Sequence, residues 1–87
     1  MKAVAYQKAG PITSPEALVD IELDTPVAKG HDLLVRVQAV SVNPVDTKIR
    51  KNVSAEQSGW KVLGWDAVGT VEAIGDKVTQ FKIGDVV

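Results

Sequence analysis

The chain has 87 residues, with ten basic and eleven acidic side chains, a formal net charge of −1, and no cysteine. This length holds one small domain with a modest core. The balanced, dispersed charge excludes an electrostatic case for a nucleic-acid partner, and the lack of thiols excludes disulfides and any thiolate zinc site. The opening MKAVAYQKAG is too short and polar for a signal-peptide core, and no apolar run approaches the roughly 20 residues that span a bilayer. The expectation is therefore a cytoplasmic protein with no membrane partner.

Turn punctuation recurs at short intervals, at Gly10-Pro11, Ser14-Pro15, Thr25-Pro26, Lys29-Gly30, Asn43-Pro44, Ser58-Gly59, Gly75-Asp76 and Gly84-Asp85. The runs between these breaks alternate with a period of two, which predicts many short strands in an antiparallel sandwich or barrel. Residues 2–6 form a candidate first strand. Over 17–23, Val19, Ile21 and Leu23 alternate with Asp20 and Glu22, as in a half-buried strand. Residues 32–42 form the strongest strand. Leu33, Val35, Val37 and Ala39 share one face, Arg36 and Gln38 the other, and Val40 and Val42 extend the apolar character to the second face. Both faces are expected to be covered there.

Residues 43–51 predict a short helix. Asn43 is a good N-cap, Pro44 suits the first helical position, and Asp46 lies in the first turn, where the helix dipole favours a negative charge. Val45 and Ile49 can share a buried stripe, and Asp46 can pair with Arg50 four residues on. Lys48, Arg50 and Lys51, the longest basic cluster, read as a solvated helix face. Residues 52–61 read as a polar loop. A strand over about 66–74 follows, then a turn at Gly75-Asp76 and further short strands through Val78 and the final Gly-Asp-Val-Val. That abrupt end leads us to expect a continuation.

Two stretches carry a resemblance. Asn43-Pro44-Val45-Asp46-Thr47-Lys48-Ile49-Arg50 looks like the N-P-x-D-x-x-x-R segment of quinone oxidoreductases. Gly64-Trp65-Asp66 through Gly69 and Gly75 to Val78 is similar to the zinc-dehydrogenase signature G-H-E-x-x-G-x5-G-x-x-V, and Gly84-Asp85-x-Val87 to the G-D-x-V that follows it. The chain thus resembles the N-terminal GroES-like domain of the medium-chain dehydrogenase/reductase superfamily, in its zinc-independent, quinone-oxidoreductase-like branch. The fold this implies is mainly β: a small antiparallel barrel with one short helix near 43–51. Residues 1–87 would be the N-terminal part of a substrate-side domain, with a dinucleotide-binding domain downstream. No G-x-G-x-x-G occurs here.

The resemblance also implies a chemistry. Zinc-using relatives hold the catalytic metal with a Cys where this chain has Asn43 and a His where it has Trp65. They relay the alcohol proton through a hydroxyl where it has Val45. Asn is a poor zinc ligand and indole none, so the expectation is NADPH as cofactor, no catalytic zinc, and hydride transfer to a quinone, enone or related carbonyl. Asn43 is the candidate donor to the developing oxyanion, with the plain N-cap as its other role. Asp46 is a candidate for orienting substrate or cofactor groups, and Asn43, Asp46 and Thr47 are the cofactor-side candidates. Trp65 and Gly64 are the candidates for the substrate pocket. The full-length protein is expected to be a homodimer. Gly64, Gly69, Gly75 and Gly84 are expected at bends needing positive φ or close backbone approach. The lone histidine, His31, is expected to be exposed and inert, and Tyr6 and Trp60 structural. The competing readings are a stand-alone binding or chaperonin-type module and a noncatalytic scaffold. The polar loops at 24–31 and 52–61 weigh against the first, Asn43 and Asp46 against the second.

Overall fold

The computed structural model describes residues 1–57 and 59–87. It divides into one unit made of Met1–Asp24 and Val42–Trp65, and a second made of Thr25–Ser41 and Asp66–Val87. All strand pairing is antiparallel, and the named elements contain one helix, as the expected β-rich class requires.

In the first unit, β1 (Lys2–Tyr6) is the middle strand of a three-stranded sheet. It pairs with β2 (Val19–Glu22) from Lys2↔Glu22 to Ala5↔Val19, and with β4 (Lys61–Val62) at Ala5↔Val62 and Tyr6↔Lys61. A middle strand is shielded along both edges; Ala5, where both neighbours pair, and Tyr6, paired with β4, are fully buried. The helix α1 (Pro44–Asn52) follows the second unit's first strand in sequence and ends with the Val53 N–H donating to the Ile49 carbonyl. The segment after it is stitched to the end of β1: Ala9 N–H donates to Ser54 Oγ at 2.9 Å, and Ala55 N–H to the Gln7 carbonyl at 2.9 Å. The reading of 52–61 as loop is corrected at both ends, since Asn52 is helical and Lys61 opens β4. Two residues of strand carry no visible periodicity. Of the expected turn at Ser58-Gly59, Ser58 lies outside the described residues, and Gly59 N–H donates to the Glu56 carbonyl.

The second unit is a two-stranded ladder of β3 (Leu33–Ser41) and β5 (Asp66–Ile74), running from Leu33↔Ile74 to Ser41↔Asp66. Its register shifts between Leu34 and Val35 and again between Val37 and Ala39. Each shift is a bulge, an extra residue that inverts the alternation beyond it. The second bulge, at Gln38, puts Val40 on the side that carries Val37. The expected covering of both faces fails here: Val37 is 53% exposed, Val40 64% and Val42 78%.

Gly69 and Gly75 are both buried. A Cβ at Gly69 would strike the Arg36 carbonyl, and one at Gly75 the backbone of Gly30. These are the close approaches the glycines were expected to serve. Gly75 N–H donates to the Asp32 carbonyl and Lys77 N–H to that of Gly30. No strand forms at Val78, and the chain end makes only an isolated bridge, Thr70↔Val86, beside β5. Its backbone is held by Gly69 N–H to the Val87 carbonyl, the reciprocal bond, and Val71 N–H to the Asp85 carbonyl. Among the described residues, no helix is long and apolar enough to cross a membrane.

Candidate functional site

The candidate residues gather at the start of α1. Asn43 is extended (φ −124°, ψ 163°), as an N-cap is, and Pro44 supplies the preset φ of the first turn. Asn43 and Asp46 form a capping box. Its short arm runs from the Asn43 N–H to Asp46 Oδ2 at 2.7 Å, while the Asp46 N–H is taken by the Asn43 carbonyl at 2.9 Å. Thr47 is exposed and its hydroxyl donates back to the Pro44 carbonyl at 2.8 Å.

The expected buried stripe of Val45 and Ile49 is not the one the helix uses. Val45 is 42% exposed, and the buried helical residues are Asp46 and Arg50, each 5% exposed. The expected ion pair between these two is absent from the ion pairs of the described residues. Arg50 is engaged elsewhere. Its Nη2 donates to the Gly10 carbonyl and its Nη1 reaches that of Ala17 at 3.5 Å, while Cζ stands 5.9 Å from the centre of the Tyr6 ring. Arg50 therefore fastens the 10–17 segment to α1, with a cation–π contact beneath it. Tyr6 fastens the other end of the helix. Its hydroxyl lies 2.5 Å from the Val53 carbonyl and 3.1 Å from that of Ile49. Burial holds the phenol above its ordinary pKa, and the Arg50 charge opposes that rise.

This fastening leaves a cavity of about 690 Å³ between the 10–13 segment and α1. Pro11, Ile12, Leu18, Val42 and Leu63 give it an apolar wall. Asp46 and Thr47 both line it. Asp46 Oδ1 is buried and has no hydrogen-bond partner, the only such side-chain atom among the described residues. The cavity thus has a mainly apolar lining with the Asp46 carboxylate at one side.

The other candidates lie apart from this cavity's lining. Gly64, at φ +115°, turns the chain after β4, and Trp65 beside it is 56% exposed. Asn43 sits at the helix cap, half-buried. His31 is exposed, as expected. No three His, Cys, Asp or Glu side chains come together in a metal-holding group among the described residues. The residues that periodicity missed are Arg50, Tyr6 and the wall at Ile12, Leu18 and Leu63. The visible signals were the Gly10-Pro11 turn after β1 and an arginine four residues from an aspartate.

Residues 29–87 match the family described as the alcohol dehydrogenase GroES-like domain. Over 87 residues the chain is 42% identical to a zinc-type alcohol dehydrogenase-like protein of Staphylococcus epidermidis, all of this chain aligning with 25% of that one. A crystal structure from Rhizobium etli CFN 42, provisionally named a zinc-dependent alcohol dehydrogenase, superposes with a TM-score of 0.94 at 53% identity, covering 99% of this chain and 25% of that one. The Escherichia coli quinone oxidoreductase complexed with NADPH gives a TM-score of 0.80 at 30% identity, covering 99% and 26%. The chain therefore spans about a quarter of the length of these relatives.

Proposed function

From the membership of this chain in the alcohol dehydrogenase GroES-like domain family, we propose that it is the N-terminal, substrate-side part of an NAD(P)H-dependent oxidoreductase that reduces a quinone, enone or related carbonyl without catalytic zinc. The observation that carries the reading is the capped start of α1 beside an apolar cavity, which Asp46 lines while it accepts from the Asn43 N–H of the cap. The full-length protein is proposed to be a homodimer, continuing into a dinucleotide-binding domain.

Reduced nicotinamide, when bound, supplies a hydride to the acceptor. NADPH is favoured because the similar Escherichia coli enzyme was crystallised with it. This chain offers a cofactor little: the Asp46 carboxylate is one group, and the nearby Thr47 hydroxyl is already committed to Pro44. That donor set suits one wall of a cleft, with Asn43, Asp46 and Thr47 as the residues on the cofactor side. As hydride reaches the acceptor, charge develops on its oxygen. The Asn43 side-chain amide is the donor proposed to stabilise it, and its position is fixed by the cap it also forms. Asp46, held through Oδ2, is the residue proposed to orient polar groups at this wall. Trp65 and Gly64 are proposed to shape the acceptor's entry.

The zinc-type names of relatives point toward a metal. The side chains favour the metal-free reading, since Asn43 and Trp65 stand at the ligand positions of the resembled signature and no three His, Cys, Asp or Glu side chains group together among the described residues. The test is NADPH oxidation by the intact protein with quinone and enone acceptors, before and after chelation. Turnover should survive EDTA. Loss on chelation with recovery on adding zinc would overturn the metal-free reading, and no oxidation of either nicotinamide with any acceptor would overturn the oxidoreductase reading. Asn43→Ala should lower kcat by about 100-fold, the scale of removing one oxyanion donor. An unchanged kcat leaves Asn43 as a cap alone.

A further inference from the structure

We propose that Arg50 is a positioning residue that sets the size of molecule the cavity against α1 admits, by latching residues 10–18 beside it as a hinged strap. This segment supplies Gly10, Pro11, Ile12, Thr13 and Leu18 to the lining of the cavity of about 690 Å³. Among the described residues its backbone–backbone bonds are its own. Ser14 N–H donates to the Pro11 carbonyl at 3.2 Å, and Ala17 N–H to that of Ser14 at 3.0 Å. The Gly10 and Ala17 carbonyls, at opposite ends of the segment, both go to the one guanidinium. Apolar burial adds little to this hold. Residues 11–16 and Leu18 are exposed, and of the segment only Ala17 is buried. Few buried side chains and an exposed backbone place a segment at the low-stability end of a fold.

The segment is built to move as one piece. Pro11 and Pro15 fix φ at two positions within it, and its turn bonds brace the residues between. Gly10, at φ +151° with open space where a Cβ would stand, serves as the hinge. The flanks are fixed. Ala9 N–H is held by Ser54 Oγ before the hinge, and Val19 pairs with Ala5 beyond the far end. The latch stands on the rigid part of the same unit. Arg50 is 5% exposed, and its Cζ lies 5.9 Å from the centre of the fully buried Tyr6 ring, whose hydroxyl binds the end of α1. No carboxylate pairs with Arg50 among the described residues, so the ring and the strap carbonyls are what meet its charge. A buried cation needs such partners, which keeps the strap closed. A molecule larger than the closed cavity must part both carbonyls from the guanidinium, and a smaller one need not. As a statement about which acceptor is reduced this rests on the oxidoreductase reading; the strap and its latch stand without it.

The first test is hydrogen exchange followed by mass spectrometry on the intact protein. Arg50→Met keeps an unbranched apolar stem and removes the donors. The strap amides should then exchange about 100-fold faster, about tenfold for each hydrogen bond to a charged group, while β1 and α1 stay at wild-type rates. Gly10→Ala leaves Arg50 in place, forces a side chain onto a φ that such residues rarely adopt, and should give the same local acceleration on a smaller scale. The latch fails if neither variant speeds exchange in the strap without speeding it in β1 and α1. The second test uses benzoquinone, naphthoquinone and phenanthrenequinone, which grow by one ring at each step, as acceptors for NADPH oxidation. In a variant whose strap is freed, kcat/KM for phenanthrenequinone relative to benzoquinone should rise about tenfold or more, through KM. A ratio that stays at its wild-type value would overturn the size role. If the wild-type protein oxidises no nicotinamide with any of the three, the oxidoreductase reading falls, and the same ratio is read from their affinities by calorimetry, with the same outcomes for and against.

Discussion

Tyr6 carries a ring that Arg50 covers and a hydroxyl that the last carbonyls of α1 receive. Tyr6→Phe keeps the ring and removes the bond, leaving the part-buried Val53 carbonyl without this donor while that of Ile49 keeps the Val53 N–H. It should cost about 1–2 kcal/mol in denaturant unfolding. The substitution also has a pH signature. Because burial raises the folded pKa above the unfolded value near 10, the neutral phenol's contribution is complete below that value and is lost as pH rises through the folded pKa. Wild-type stability should fall on the alkaline side, and Tyr6→Phe should flatten that fall; parallel curves would refute the assignment. Asp46 was legible as a first-turn acid beside the Asn43 cap, because the start of a helix is local and reads from adjacent residues. Its unpartnered second oxygen was not legible, because that depends on Arg50 turning to carbonyls of residues far away in sequence.

At the scale of elements, the ladder of β3 and β5 rests on glycine at a close crossing. Gly69→Ala would drive a methyl into the Arg36 carbonyl. We expect about 3 kcal/mol of destabilisation or more, measured by urea unfolding, while a cost under about 0.5 kcal/mol would show that the strands can part without loss. The Lys82–Asp85 turn offers a second prediction. The Lys82 backbone N–H, then the Lys82 side chain, hold Asp85 below the ordinary carboxylate pKa. Its contribution is present above the unfolded value of about 3.9 and is lost as pH falls through the folded value. Asp85→Asn should shallow the acid limb of the stability curve. Strand boundaries were legible wherever alternation ran long, and the strand over 66–74 was read to the residue. The bulges were invisible because one extra residue leaves composition and period almost unchanged. The error they caused was large, since beyond a bulge every side chain changes face. β4 was missed because two residues define no period.

Over the whole chain, the fully buried apolar side chains among the described residues are few: Ala5, Tyr6, Ala17 and Val71. Large apolar residues lie open instead, with Val27, Val42 and Val86 each above 70% exposed. Surface of this kind promotes association. The 87-residue chain produced alone should bind a hydrophobic dye and self-associate with concentration in sedimentation velocity, and threonine at Val40 and Val42 should weaken both; a monodisperse monomer that ignores the dye would refute this. The sequence by itself determined the β-rich class, the antiparallel strands, the helix with its Asn43-Pro44 start, and the family, because short-range alternation, turn chemistry and spaced glycines act within a few residues. Tertiary structure alone decided that α1 buries Asp46 and Arg50 in place of Val45 and Ile49, and that a cavity stands beside an unpartnered carboxylate oxygen. Arg50 reaches Gly10 and Ala17 across more than thirty positions of chain, and hydrogen bonds of that span leave no trace in local pattern.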